Sequence, residues 1–201
     1  QTFEDIALMR TIPGMTVLNP SDGVSARALI KQAVAFDGPA YIRLGRAAVP
    51  TFYTEEMAAK LEIGKGVCLR TGDKKDGKLA DATVIATGIM VNEAMLAAEE
   101  LAADGIEVRV IDMHTIKPLD ADIIYRAARE TGAVVTAEEH SVIGGLGSAV
   151  AEVTATHYPV KMAMVGQQDT FGESGKPDEL KAKYGMTAAD IVRAVKLLIE
   201  A

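Results

Sequence analysis

From residue 66 onward the chain alternates short apolar runs with amphipathic stretches, and that alternation narrows the fold more than any other feature. Ala82-Thr83-Val84-Ile85-Ala86 opens the series as a strand. A helix is predicted over about 91–103, closed at Asp104-Gly105, followed by a strand over 107–111. The pattern then repeats, with a helix near 121–130 stopped by Gly132, a strand over 133–137, a glycine-rich entry to a helix near 148–155, and a strand over 161–165. Helices near 178–184 and 191–199 complete it, the second behind a Thr187-x-x-Asp190 capping pattern. Strands separated by helices of this length require right-handed crossovers, so a largely parallel sheet is expected.

Gly66-Val67-Cys68-Leu69-Arg70 precedes this series across a glycine- and charge-rich stretch, residues 71–81, in which Lys74-Lys75-Asp76 reads as a solvated turn. Two strands around such a turn predict a hairpin, and with it one antiparallel edge strand. Earlier still come a helix from Phe3 to Arg10, a short strand at Thr16-Val17-Leu18-Asn19 and a Pro20-Ser21-Asp22 turn and cap. A helix bearing Val24, Ala28, Leu29 and Ala33 follows, stopped at Asp37-Gly38-Pro39 before the strand Ala40-Tyr41-Ile42-Arg43-Leu44. This opening portion buries too little to stand as a domain. The expected organisation is therefore α/β throughout: a partial α/β unit over 1–46, a linker with a short helix over 47–65, and a complete three-layer α/β domain over 66–201. Gln1 is not an initiator and a helix begins almost at once, so a fragment or trimmed chain is expected.

Acidic residues outnumber basic ones 28 to 21, a formal charge of −7, which argues against a nucleic-acid or anionic-membrane partner. No uncharged apolar run approaches the ~20 residues of a membrane span, and the opening residues, lacking a basic-then-apolar pattern, are not expected to be a signal peptide. The single cysteine, Cys68, excludes an intrachain disulfide and suits a reducing compartment, so a cytoplasmic location is expected.

Few residues suggest chemistry. His114, His140 and His157 lie on separate segments without metal-ligand spacing, so no metal site is expected. Ile143-Gly144-Gly145-Leu146-Gly147-Ser148 lies between a strand and a helix, where free amides favour anions. Val150, however, stands where the last glycine of G-x-G-x-x-G counted from Gly145 would fall, and close packing of the helix start is the preferred reading. Glu138-Glu139-His140 is placed at the carboxyl edge of the sheet, where it could serve as an acid–base group or hydrogen-bond a domain interface. Arg46, beside Gly45 at a strand's carboxyl end, suits an anionic ligand, whereas Arg43 reads as structural.

Several runs, taken in order, carry a resemblance. Gln1-Thr2-Phe3-Glu4-Asp5-Ile6-Ala7-Leu8-Met9-Arg10-Thr11-Ile12-Pro13-Gly14-Met15, Asn19-Pro20-Ser21-Asp22 and Asp37-Gly38-Pro39 leading to Gly45-Arg46 resemble the latter half of the pyrimidine-binding domain of transketolases. Ala86-Thr87-Gly88, Thr115-Ile116-Lys117-Pro118-Leu119-Asp120, Glu138-Glu139-His140-Ser141 with Gly144-Gly145-Leu146-Gly147, and Asp169-x-Phe171-Gly172-x-Ser174-Gly175 resemble the transketolase C-terminal domain. The resemblance implies transfer of a two-carbon ketol unit from a ketose phosphate to an aldose phosphate in the pentose phosphate pathway. Thiamine diphosphate supplies the carbanion chemistry, with Mg2+.

The diphosphate- and metal-binding domain of that family is absent from this sequence. So are its pyrimidine-contacting glutamate and the histidine expected just before Gln1. The resemblance thus implies no cofactor bound by this chain alone, no catalytic residue within it, an N-terminal partner section and a homodimer. It matches Arg46 to the family's sugar-phosphate-gripping arginine and puts Gln1 near the substrate channel. The family's C-terminal domain contributes mainly to dimer packing, so Glu139, His140, Gly144, Gly145 and Gly147 become interface candidates. Related alternatives are 1-deoxyxylulose-5-phosphate synthase and the β chain of a 2-oxo-acid dehydrogenase. A non-catalytic dimerisation module is the alternative of another class.

Overall fold

The computed structural model describes residues 2–46, 48–74, 77 and 79–200; Gln1, Lys75 and Asp76, on which expectations fell, lie outside the described residues. The first portion contains α1 (Asp5–Thr11), β1 (Thr16–Leu18), α2 (Gly23–Ala35) and β2 (Ala40–Ile42). A short α3 (Glu55–Ala58) and β3 (Val67–Arg70) follow. Next come β4 (Ala82–Ala86), α4 (Met90–Ala103), β5 (Val108–Asp112), β6 (Thr115–Lys117) and α5 (Ala121–Thr131). Last are β7 (Ala133–Ser141), α6 (Leu146–His157), β8 (Lys161–Gln167), α7 (Pro177–Lys183) and α8 (Ala188–Glu200).

Caps fix several of these boundaries. Asp22 accepts from the amides of Val24 and Ser25 while Ser25 accepts from the amide of Asp22, a reciprocal cap on α2. Asp120 caps α5, which ends on Gly132 in the left-handed region. Asp190 accepts from both the amide and the hydroxyl of Thr187, as the spacing there predicts.

The larger sheet has five strands in the order β3-β5-β4-β7-β8, all parallel except β3, which pairs antiparallel with β5. Its strands alternate between two apolar cores. Ala82, Val84, Ala86, Val108, Val110 and Val135 face α4 and α8. Ile85, Ile111 and Val134 face α5 and α6 through Ile124, Leu146 and Val150. Burial on both faces explains why the strands read as continuous apolar runs and gives the three layers expected.

One expectation fails here. β3 and β4 are not a hairpin, because β5 lies between them. The crossover through α4 sets β5 beside β4 over five register pairs, so the place next to β4 is taken and β3 reaches only β5's outer edge. The chain then passes across the start of β5, where a Cβ on Gly72 would lie 2.4 Å from the Val108 carbonyl. A second correction concerns β7, which runs to Ser141 past a register shift, so Glu138, Glu139 and His140 lie within the strand and not beyond it.

The smaller sheet has the order β2-β1-β6, with β1 parallel to β2 and antiparallel to β6. β6 directly follows β5, so a strand from the later part of the chain completes the sheet of the first part. Its residues had read only as part of a motif. Among the described residues, no helix is long and apolar enough to cross a membrane.

Candidate functional site

In an open parallel sheet, ligands bind outside the carboxyl ends of the strands where strand order reverses. From β4 the chain builds outward to β5 on one side and to β7 and β8 on the other, so the reversal lies between β4 and β7. The neighbouring stretch of that edge, at the ends of β4 and β5, is covered from within the chain. Asn19, 2% exposed, donates its backbone amide to the His114 carbonyl at 2.8 Å, and its carbonyl accepts from the Gly88 amide at 3.3 Å. Gly88 has φ +56, and a Cβ there would stand 2.6 Å from the Asn19 Nδ2.

Next to Asn19, a buried polar knot joins the first part of the chain to β5. Ser21 Oγ donates to Asp112 Oδ2 at 2.5 Å and Tyr53 Oη donates to the same atom at 2.9 Å. Burial pushes the Asp112 carboxyl up to about 7, against the pull of those two hydroxyls. Among the described residues its Oδ1 has no hydrogen-bond partner. Asp22 also takes the amides of Phe52 and Tyr53; burial raises its proton affinity, but the amides and hydroxyl around it win and hold the carboxyl below its ordinary value. Sequence reasoning saw Asp22 as a helix cap only. Nothing local to Asp112 or Tyr53 announced the rest.

The Glu138-Glu139-His140 run divides into three different tasks. Glu138 is fully buried; its Oε2 accepts from the Leu146 amide at 2.6 Å and its Oε1 from the Gly147 amide at 2.8 Å. Burial drives its carboxyl up to about 7, with those amides opposing. The Leu146 and Gly147 amides are therefore already committed, and a Cβ on Gly145 would fall 2.0 Å from Glu138 Oε2. The loop does not fit a diphosphate. Gly144 is just as close-packed, since a Cβ there would stand 2.7 Å from that of Ala7, and one on Gly147 would meet Thr136 Oγ1 at 2.8 Å.

His140 is buried and neutral in character. Its Nδ1 donates to the Ser141 carbonyl at 2.7 Å, which leaves Nε2 to accept from the Ile6 and Ala7 amides at 3.1 and 3.4 Å. Burial lowers its proton affinity, consistent with an acceptor nitrogen pointed at two donors. The imidazole thus caps α1, and Arg10 of that helix donates back to the Gly144 and Gly145 carbonyls. Within the chain, the contacts of this run join β7 to α1, α6 and the exit of β2.

Glu139 pairs with Arg43 at 3.1 Å, and Arg43 also holds Asp5 at 3.2 Å and the Thr2 carbonyl at 3.3 Å. Arg46 behaves otherwise. It is exposed at a bend following β2, and among the described residues it makes no hydrogen bond or ion pair. Two arginines three residues apart have separate fates, one locked between acids and one facing solvent. Among the described residues, no group of three His, Cys, Asp or Glu side chains converges as a metal site.

Comparisons with known proteins agree on one family. A family model described as "Transketolase, C-terminal domain" matches residues 74–191, and one described as "Transketolase, pyrimidine binding domain" matches residues 1–51. The chain is 49% identical over 199 residues to the 6-deoxy-6-sulfo-D-fructose transketolase subunit SqwH of Clostridium sp. (strain MSTE9), covering 99% of this chain and 59% of that protein. It is 40% identical over 192 residues to an apulose-4-phosphate transketolase subunit of Phocaeicola vulgatus, covering 96% and 59%. A solved structure, "Split gene transketolase, inactive beta4 tetramer", superposes with a TM-score of 0.92 at 48% identity, covering 100% of this chain and 63% of that one. The chain therefore spans about three fifths of the length of these two curated relatives.

Proposed function

The chain belongs to the transketolase family, and on that footing we propose that it supplies the anion-gripping edge of a ketol-transferring enzyme. In this reading it works as the C-terminal part of the enzyme, with an N-terminal section that holds thiamine diphosphate and Mg2+. The cofactor supplies the ketol-transfer chemistry. The glycine loop at α6 does not fit the cofactor's diphosphate, since Glu138 takes its Leu146 and Gly147 amides. The division at residues 1–46, 47–65 and 66–201 belongs to the same proposal, as do a cytoplasmic location and self-association. A tetramer is named for the similar solved structure.

The observation that carries the reading is Arg46. A guanidinium at a strand's carboxyl end, exposed and without a partner among the described residues, is available to an oxyanion in a way that Arg43 is not. The relatives' names mention one sulfonated and one phosphorylated sugar. A ketose carrying a terminal phosphate or sulfonate is accordingly the proposed donor. Gln1 is proposed to lie near the same channel. None of the described residues is assigned the chemical step.

The test is reconstitution with the N-terminal section, thiamine diphosphate and Mg2+, with ketose phosphate, ketose sulfonate and pyruvate offered as donors. Ketol transfer from an anionic ketose is expected. Turnover of pyruvate instead would identify a deoxyxylulose-phosphate synthase, and cofactor binding without any turnover would leave only an assembly module. Arg46→Ala is expected to lower kcat/KM for the anionic ketose roughly 10- to 100-fold, the scale of a charge-assisted hydrogen-bond pair. Equal loss on an uncharged ketose would remove Arg46 from anion binding.

A further inference from the structure

The loop bearing Arg46 is supported on both flanks by the later part of the chain. On one flank, Arg43 receives Glu139 from β7 together with Asp5 from α1, and its side chain is only 10% exposed. Its backbone amide donates to the Leu18 carbonyl at 2.8 Å, which ties the exit of β2 to β1. On the other flank, Gly45 lies directly on Ile89, the residue capping α4: a Cβ at position 45 would come within 2.9 Å of Ile89 Cγ2. The segment between these supports is exposed at Leu44, Gly45 and Arg46. It lies outside the ladder of β2, so little else fixes its path.

We propose that Glu139, acting through Arg43, and Ile89, seated beneath Gly45, are positioning residues for the Arg46 guanidinium. They give the later domain a part in donor selectivity without touching the substrate. The inference rests on the proposed role of Arg46 as anion grip. Physically it follows from how steeply bidentate recognition depends on placement: an arginine displaced by about an ångström loses one of its paired hydrogen bonds, and such displacements change rates and affinities by up to about 10²-fold. Glu139 is suited to this because it leaves Arg43 held by a second acid, Asp5, when it is removed. The fold then persists while the loop's anchor loosens.

The experiment uses the reconstituted enzyme and a set of variants: Glu139→Ala, Glu139→Gln, Ile89→Val and Ile89→Ala, each alone and combined with Arg46→Ala. Thermal melting of each variant runs in parallel, and the conservative pair keeps the comparison available should an alanine variant fold poorly. Expected is a rise in KM for the anionic ketose of roughly three- to tenfold for Glu139→Ala and Ile89→Ala, with KM for an uncharged ketose and kcat moving less than about twofold. Glu139→Gln, which keeps an acceptor for Arg43, and Ile89→Val should recover most of the loss. In the Arg46→Ala background the same substitutions should add nothing, because the group they position is gone.

Losses equal on charged and uncharged donors, or losses that persist in full without Arg46, would overturn the proposal and leave both residues merely structural. If Arg46→Ala itself fails to distinguish the donors, the reading of Arg46 falls and the positioning role falls with it. Selective Arg46→Ala behaviour with silent Glu139 and Ile89 variants would overturn the positioning role alone.

Discussion

Adding one methyl group at Gly145 should unfasten the start of α6. A Cβ there would fall 2.0 Å from Glu138 Oε2 and 2.6 Å from the Ser141 carbonyl oxygen, separations that packed carbon atoms do not adopt. The carboxylate has to withdraw, and it then gives up the Leu146 amide at 2.6 Å and the Gly147 amide at 2.8 Å. Both bonds are buried, and in an assay above about pH 8 one partner is charged, because the carboxyl lies at about 7. At about 1.5–3 kcal/mol for each hydrogen bond to a charged group, Gly145→Ala should destabilise the chain by about 3–6 kcal/mol. Against a typical total of about 5–15 kcal/mol this is a large fraction. It corresponds to a fall in Tm of roughly 6–24 °C for a chain of this size.

Urea unfolding followed by far-UV circular dichroism would measure it; the chain has no tryptophan for fluorescence. A double-mutant cycle isolates the cause. With Glu138→Ala already present the colliding carboxylate is gone and only the Ser141 clash remains, so the added cost of the methyl should shrink by about 2 kcal/mol or more. A Gly145→Ala effect under about 1 kcal/mol, or strict additivity of the two substitutions, would refute the placement of Glu138 over the helix start.

Two other perturbations bear on the junction. Burial pushes the Asp112 carboxyl up to about 7, above its unfolded value of about 3.9, so the folded chain binds the extra proton and stability declines as pH rises through that window. Asp112→Asn should flatten this part of the Tm-versus-pH curve, and an unchanged profile would contradict a buried, proton-holding carboxyl. Gly88→Ala combines φ +56 with a Cβ 2.6 Å from Asn19 Nδ2, and should lower stability by about 2–3 kcal/mol in thermal melting. Asn19→Ala should recover part of that loss, whereas wild-type melting of Gly88→Ala would show that Asn19 does not pack on the turn after β4.

Periodicity made the larger sheet legible because its strands are buried on both faces: Val84, Ile85 and Val134 are apolar whichever way they point. Pairing was less legible. Nothing within 66–86 reveals that β3 pairs with β5, since the partner edge is created by a crossover some twenty residues further along. Glu138, Glu139 and His140 attracted notice as a cluster, yet their neighbours in sequence do not determine their tasks. One faces the start of α6, one an arginine of β2's exit, and one the amides of α1. Local pattern likewise marked Asp22 as a cap, through the Pro20-Ser21-Asp22 turn, but Asp112 and Tyr53 become a pair only when residues far apart in sequence meet.

The pairing of β1 with β6 has a bearing on how such chains can be recombined. The earlier part of the chain owns β1 and β2, but Thr115, Ile116 and Lys117, which complete their sheet, are encoded well inside the later part. A chimera joined anywhere in residues 47–65 would import a foreign third strand along with the foreign domain. That graft inherits a register, Val17 against Lys117 and Leu18 against Thr115, which the donor's own β1 had shaped. The two parts are thus separable on paper and co-inherited in practice, and an exchange that succeeds should be one that carries both sides of that ladder together.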